Sequence, residues 1–208
     1  MRISQLKYFL LVLFIFCVSA NGFAQKNKKT WDPAILEKAN TAKNDTTLTT
    51  EEKKVIFYMN LVRLDPATFM QIELKHYMDS TRQNDGYTKS LTKTLLTAKP
   101  MDVITPSKAL NDFAKEHAIK FGKENKIGHG NYKDRIKNII GNYNNAMAEN
   151  CDYGNDNAFN IVMSLLIDED IKDLAHRTNI LNPVYKFAGV SIKPHKGYKW
   201  NCVMDFGG

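Results

Sequence analysis

The chain has 208 residues, 43% of them hydrophobic and 25% charged, with a formal net charge of +7. That length fits one domain with a sizeable core. The lysines are scattered and interleaved with acids, as in KEHAIKFGKENK, without a basic stripe carrying stacking aromatics, which speaks against a nucleic-acid partner.

The first residues, MRISQLKYFLLVLFIFCVSANGFAQ, place Arg2 and Lys7 before an apolar run from Tyr8 to Val18. Small residues follow, with cleavage expected after Ala20 or Ala24. Residues 1–24 therefore read as a secretory signal peptide, whose apolar run is too short to span a bilayer stably. An uncleaved anchor is the alternative. Ile15 and Phe16 before Cys17, and Val18 after it, are poor lipidation context. The expected product is secreted or extracytoplasmic, with no stable membrane span. Cleavage removes Arg2 and Lys7 but no acid, so the charge falls from +7 to +5.

Cys151 and Cys202 would then sit in an oxidising compartment, where an even pair suggests one disulfide. It would close a loop of about 51 residues, for a gain of roughly 4 kcal/mol by loop entropy. Two free buried thiols are the alternative.

Residues 25–45 are polar and rich in Lys and Asn, a loosely held lead-in to a domain over 46–208. Thr49 and Glu52 stand at capping-box spacing. Val55, Ile56, Met59 and Val62 then make one apolar face, so a helix runs to Pro66. Asp65 and Pro66 suit the cap and first position of a second helix to about Met78. Residues 79–105 are polar and mixed and carry no assignment.

The stretch PSKALNDFAKEHAIKFGKEN is the clearest helix, capped by Ser107, with Leu110, Phe113, Ala114, His117, Ala118 and Phe121 on one face. A short turn is expected over 133–140, and a helix over 157–167 with Ala158, Val162, Leu165 and Leu166 inward. Another short helix in HRTNILNP stops at Pro183. The last segments alternate with a period of two. FAGVSI and YKWNCVMDF read as paired strands, the second with Tyr198, Trp200, Cys202, Met204 and Phe206 on one face. AMAEN is a third strand. Helices surrounding a small antiparallel sheet make an α+β fold.

Of the histidines, His76 and His195 lie in polar surroundings and read as solvated. His117, on an apolar helix face, reads as a core histidine. His129 sits between Gly128 and Gly130 in a loop, where functional residues concentrate. His176 opens a helix, and neutral imidazole is the form that binds metal. Glu149 and Cys151, two apart on a strand, share a face. Taken alone, Glu149 reads as an edge-strand carboxylate reaching water.

The order IGHGN, AENCDYG, AHRTNILNP, FAGVSI, YKWNCVMDFG resembles the CAP superfamily of cysteine-rich secretory proteins, venom antigens and plant pathogenesis-related proteins. The similarity runs from about Thr49 to Gly208 and includes MNLVR, with Asn60 and Arg63, and LNDFAKEHA. The resemblance implies an α-β-α sandwich with a cleft lined by two histidines and one or two acids. Its ligand set, carried onto this chain, is His129, Glu149 and His176, with Asn150 as a structural asparagine. In several branches a second glutamate precedes the second histidine. Here VMSLLIDEDIKDLAHR has no clean match, which leaves Asp168, Glu169, Asp170 and Asp173 as candidates. The tryptophan often seen in that helix is also absent.

The family implies zinc or another divalent ion at this place. Two nitrogens and a carboxylate oxygen would leave one position open for water. Three functions follow. The favoured one is a secreted module binding an extracellular ligand, which the family suggests is a lipid or a surface polymer. The others are a metal-dependent hydrolase with Glu149 as general base, and an adhesive or structural domain with a vestigial site. The chain has neither G-x-S-x-G nor H-E-x-x-H, so a standard serine hydrolase or zinc peptidase is not expected.

Overall fold

The computed structural model describes residues 29–208. The expected signal segment and the first residues of the lead-in lie outside the described residues. Among the described residues, no helix is long and apolar enough to cross a membrane.

The lead-in is not loose. Asp32 caps α1 (Pro33–Ala39) by accepting from the Ala34 N–H at 2.8 Å, and Pro33 occupies the first turn. Ala39 and Ala42 are buried in the core, and Trp31 donates to Glu73 at 2.7 Å. The cap and the proline explain the helix, but the surrounding lysines and asparagines mask its short apolar face.

α2 (Thr50–Leu64) opens on the expected capping box. Its Glu52 is buried and, besides the box bond to the Thr49 N–H, bonds the Ile192 N–H and the Lys193 ammonium. Asp65 ends α2 and caps α3 (Pro66–Phe69), which continues through a π-helical turn (Met70–Leu74) into α4 (Lys75–Thr81). α5 (Gly86–Thr97) lies in the stretch left unassigned from sequence. Asp85 caps it with a capping box, and Leu91 and Leu95 are buried. Its polar Thr/Lys composition hides two apolar anchors spaced by one turn.

A sheet of four strands runs β1 (Thr105–Pro106), β3 (Phe187–His195), β4 (Lys199–Gly207), β2 (Met147–Tyr153). The three long strands pair antiparallel as expected, and β1 adds a short parallel rung on β3. α2 and α8 (Ala158–Ile167) cover one face, where Cys202, Met204 and Phe206 meet the main core. α6 (Lys108–Glu124) covers the other, where Cys151 and Val203 meet Ala114 and Ala118. The result is the α-β-α sandwich. At Gly189 a Cβ would lie 2.0 Å from the Leu110 carbonyl carbon, so only glycine lets α6 lie this close to β3.

The same register removes the expected disulfide. Cys151 stands opposite Val203, and Cys202 opposite Asp152. Neighbouring residues on a strand point to opposite faces, so the two cysteines lie on opposite sides of the sheet. Both are free and buried. Trp200 shares the Cys202 face, away from Glu149.

His195 is also not solvated. It is buried, with Nε2 donating to the Lys126 carbonyl at 2.9 Å and Nδ1 accepting from the N–H groups of Gly197 and Tyr198. It pins the β3–β4 turn. His76 is exposed, its ring tilted at 45° against Phe159 with the centroids 5.7 Å apart.

Arg63 ties α2 to the far end of the chain. It is fully buried and donates to the carbonyls of Asp102, Ile180, Asn182 and Tyr185 at 2.8–3.0 Å. Burial pulls its guanidinium down to about 10.

Candidate functional site

β2 is an edge strand, and its alternation sorts the candidate residues. Glu149 and Cys151 face α6, while Asn150 and Asp152 face the α8 side. Glu149 is buried, and two elements close over it. The loop before α7 (Tyr132–Ile136) carries His129 between Gly128 and Gly130, whose φ angles of +85° and +53° favour glycine. This loop is tied to β2 where the Tyr153 hydroxyl accepts from the Gly128 N–H at 2.8 Å. It delivers His129 Nδ1 to Glu149 Oε1 at 2.9 Å. α7 delivers Arg135, whose guanidinium bonds Glu149 Oε2 and lies over the Phe113 ring.

From below, α6 brings His117 against the same carboxylate. Its Nε2 donates to the Gly128 carbonyl at 2.9 Å and lies 3.8 Å from Glu149 Oε1. Burial lowers the His117 imidazole from its ordinary value, and the Glu149 charge only partly opposes this. Cys151 Sγ lies 3.9 Å from Glu149 Oε1 and 3.8 Å from His129 Nδ1. Burial pushes this thiol well up, and the charge of Glu149 adds to the effect.

Asp205 stands opposite Glu149 in the β2–β4 ladder and is fully buried. Burial pushes its carboxyl well above the usual range, Glu149 pushes it further, and Arg135 opposes them. A protonated Asp205 would donate to Glu149; apart from that bond, neither Asp205 oxygen has a partner among the described residues, and the same holds for the Tyr132 hydroxyl and Arg135 Nε.

His176, at the start of α9 (Ala175–Ile180), has a different partner. Its Nδ1 bonds Asp168 Oδ1 at 2.7 Å. Asp168 caps the end of α8 with a left-handed backbone and takes the Arg177 N–H on its other oxygen at 3.1 Å. Asp168 is thus the acid that meets a histidine. Glu169, Asp170 and Asp173 are exposed; Tyr87 donates to Asp170 at 2.8 Å. Asn150 is fully buried and joins β2 to α9, donating to the His176 carbonyl at 3.0 Å and accepting from Asn179 at 2.8 Å.

The structure therefore brings together His129 with Glu149, and His176 with Asp168. Among the described residues, no hydrogen bond or ion pair joins these two pairs. Cys151 lies between them, since it contacts the first pair and also lines a cavity of about 460 Å³ with His176, Asp168 and Asp152. Burial lifts the Asp152 carboxyl to about 6, against hydrogen bonds from Ser164 and Asn155.

Sequence reasoning missed His117, Arg135 and Asp205 as members of the Glu149 cluster. Asp205 alternates with Met204 and so falls on the Glu149 face once β2 is paired with β4, but that register is not written in either strand alone. His117 and Arg135 reach Glu149 only through helix packing.

The donor set can be tested against a metal ion. His117, Glu149 and Cys151 each offer a ligand atom, and these atoms lie within 4.8 Å of one another. Zinc bond lengths in a tetrahedron put ligand atoms about 3.5 Å apart. Glu149 Oε1 lies 3.8 Å from His117 Nε2 and 3.9 Å from Cys151 Sγ, but that oxygen is held by His129 and Nε2 by the Gly128 carbonyl, so the set fits an ion only if those bonds open.

The family profile of the cysteine-rich secretory proteins, named CAP, matches residues 57–206. This chain is a member of the CAP family. The match spans the region from α2 to β4, including every residue of both histidine–acid pairs. No curated protein matches the chain. Among solved structures, an outer surface protein from Borrelia burgdorferi aligns over 65% of this chain and 95% of its own, at 21% identity and a TM-score of 0.43.

Proposed function

We propose that this CAP domain is an exported binding module whose histidine–acid cleft takes a divalent metal ion and an extracellular ligand. The observation that carries this reading is the state of Glu149. Its oxygens are held by His129 and Arg135, and its side chain is 1% exposed. A general base needs a free lone pair within reach of a water or substrate proton. The clamp weighs against Glu149 as a general base, and beside it the ligand atoms of His117, Glu149 and Cys151 lie within 4.8 Å of one another. His129, Glu149 and His176 are the donors that the family resemblance names for that ion, and zinc suits their chemistry. The neighbouring cavity is lined by Gln83, Asn155, Asn160, Ser164 and the acids already described. These groups suit a hydroxyl-rich or amine-bearing surface polymer, and Tyr77, Leu165, Ile167 and Ile171 add apolar lining beside them.

Zinc titration of the mature protein by calorimetry tests this, beside Glu149→Gln. One-site binding that the substitution abolishes supports the reading. Absence of zinc binding in the unsubstituted protein overturns its metal part.

One observation favours hydrolysis as a second reading. Asp168 holds His176 Nδ1, and His176 Nε2 has no hydrogen bond among the described residues. A carboxylate-oriented imidazole with one free nitrogen is the arrangement of a general base. In that reading the base is His176 rather than Glu149. Turnover on peptide, ester or glycan panels that is lost in His176→Ala, while the fold persists, would establish it.

A further inference from the structure

We propose that the outer edge of β2 binds an extended, basic peptide segment of a partner protein, which joins the sheet as an added strand between the His129 loop and α9. This rests on reading the cleft as a ligand site and goes beyond it by naming the ligand as a polypeptide. It does not depend on a metal ion.

The ladder fixes which backbone groups are free. The Gly208 N–H donates to the Ala146 carbonyl at 2.9 Å, and the Gly154 N–H donates to the Trp200 carbonyl at 3.0 Å. Bonded pairs alternate along an antiparallel ladder, so Ala146, Ala148, Asn150, Asp152 and Gly154 turn their backbone groups towards β4. Met147, Glu149, Cys151 and Tyr153 turn theirs the other way, and β2 is the last strand on that side. Among the described residues, none of these outward N–H or C=O groups has a hydrogen-bond partner. Buried backbone polar groups are nearly always paired, and a row of unpaired ones on an edge is a template for another strand.

The surroundings admit a single thin chain. Glu149, Cys151 and Asp152 are only 5%, 8% and 4% exposed, so the edge is recessed. Gly128 is tied to Tyr153 on the α6 side, and the His176 carbonyl to Asn150 on the other. These walls would meet a second folded copy before β2 did. The cavity of about 460 Å³ lies along this edge rather than on one face of the sheet. Cys151, Asp152 and Tyr153 all line it, although consecutive side chains of a strand point to opposite faces. Its lining includes Asp152, Asp168 and Glu169 but no Lys or Arg among the described residues, in a chain of net charge +7. An added strand turns alternate side chains towards these carboxylates, where Lys or Arg gives charge complementarity. Main-chain pairing then supplies affinity, and the pocket beside it supplies selection.

The test is fluorescence polarisation of a labelled peptide in which Lys alternates with Val or Thr, added to the protein lacking residues 1–24. Single N-methyl groups are scanned along the peptide. We expect saturable binding with a period of two in the scan. Methylation at alternate positions removes an N–H that pairs with β2 and weakens binding about tenfold. Methylation at the intervening positions leaves it unchanged. The same peptide with Glu in place of Lys should bind about tenfold more weakly. Cys151→Pro removes one outward N–H and no ladder bond, so it should weaken peptide binding while the domain still melts cooperatively. The scan on the unsubstituted protein decides the point even if that variant folds poorly. A uniform response to methylation, or equal binding of the Glu peptide, would overturn the inference and leave a ligand-binding cleft. Binding of a glucosamine oligomer without binding of the peptide would do the same. If neither probe binds, the inference and the ligand part of the proposed function fail together.

Discussion

Two buried polar clusters flank the sheet, and they are built on opposite rules. On the α2 side, Arg63 has four carbonyl partners, and Asn60 uses its amide N–H groups on Ala39 and Ile104 and its oxygen on the Ile104 N–H. Every bond there is made within the chain, and no carboxylate is needed. On the α6 side, Asp205, Tyr132 and Arg135, grouped around Glu149, leave four polar atoms without partners among the described residues. Buried charge is tolerated where its partners are fixed. Where orphaned atoms persist, stability has been given up for something else, and function is the usual reason. The comparison separates a scaffold from a site without reference to any relative.

The largest expected effect lies on the satisfied side. Arg63→Ala strips four carbonyls of their donor, those of Ile180 and Tyr185 buried, and leaves a cavity, at a cost of about 3–5 kcal/mol. At this chain length that lowers the melting temperature by about 10 °C or more, read by calorimetry. A shift of only a degree or two would erase the distinction between the clusters. Glu52→Gln comes next, at about 2 kcal/mol, because it weakens charge-assisted bonds in a buried setting. Burial raises the Glu52 carboxyl, but the Thr49 and Ile192 N–H groups and Lys193 outweigh it and hold it below its ordinary value. A lowered carboxyl contributes stability above its unfolded range and loses it as pH falls through the folded value. The gap between wild type and Glu52→Gln should therefore close in acid.

Asp205→Asn should show the opposite pattern. Its raised carboxyl contributes stability that is complete below the ordinary aspartate range and lost as pH rises towards the folded value. A neutral amide removes that loss and can donate to Glu149. The variant should equal wild type near pH 4 and exceed it by about 1 kcal/mol at neutral pH, in denaturant melts of metal-free protein. A variant less stable at neutral pH would mean that Asp205 belongs with the satisfied scaffold. The smallest effect concerns the cysteines. Thiol counting on denatured, unreduced protein lacking residues 1–24 should find two thiols per chain, and added reductant should leave the melting temperature unchanged.

Much of the fold could be read from local chemistry. The Thr49–Glu52 box, the α6 stripe and the period-two alternation of β3 and β4 each specify an element within one stretch. α1 and α5 escaped because their caps, Asp32 and Asp85, precede segments with few apolar residues, whose burial is decided by neighbours. The site was legible in the same local sense. Glu149 and Cys151 share a face because they are two apart, and the glycines around His129 mark a constrained loop. Which groups surround Glu149 was not legible. Asp205 depends on the β2–β4 register, and His117 on how closely α6 settles over Gly189. The expected disulfide failed for the same reason. Parity in the ladder, which composition cannot supply, sends Cys151 and Cys202 to opposite faces.

Arg63 also bears on when the domain can form. Its carbonyl partners at Ile180, Asn182 and Tyr185 lie 117–122 positions further along the chain. A polypeptide made from its N-terminus onward presents α2 long before these groups exist. Until they arrive, burying α2 would strand a charged guanidinium in the core, so early docking is penalised. Closing such distant contacts late is slow compared with local helix formation. Docking of α2 with its arginine satisfied thus requires the segment through Tyr185 to be available.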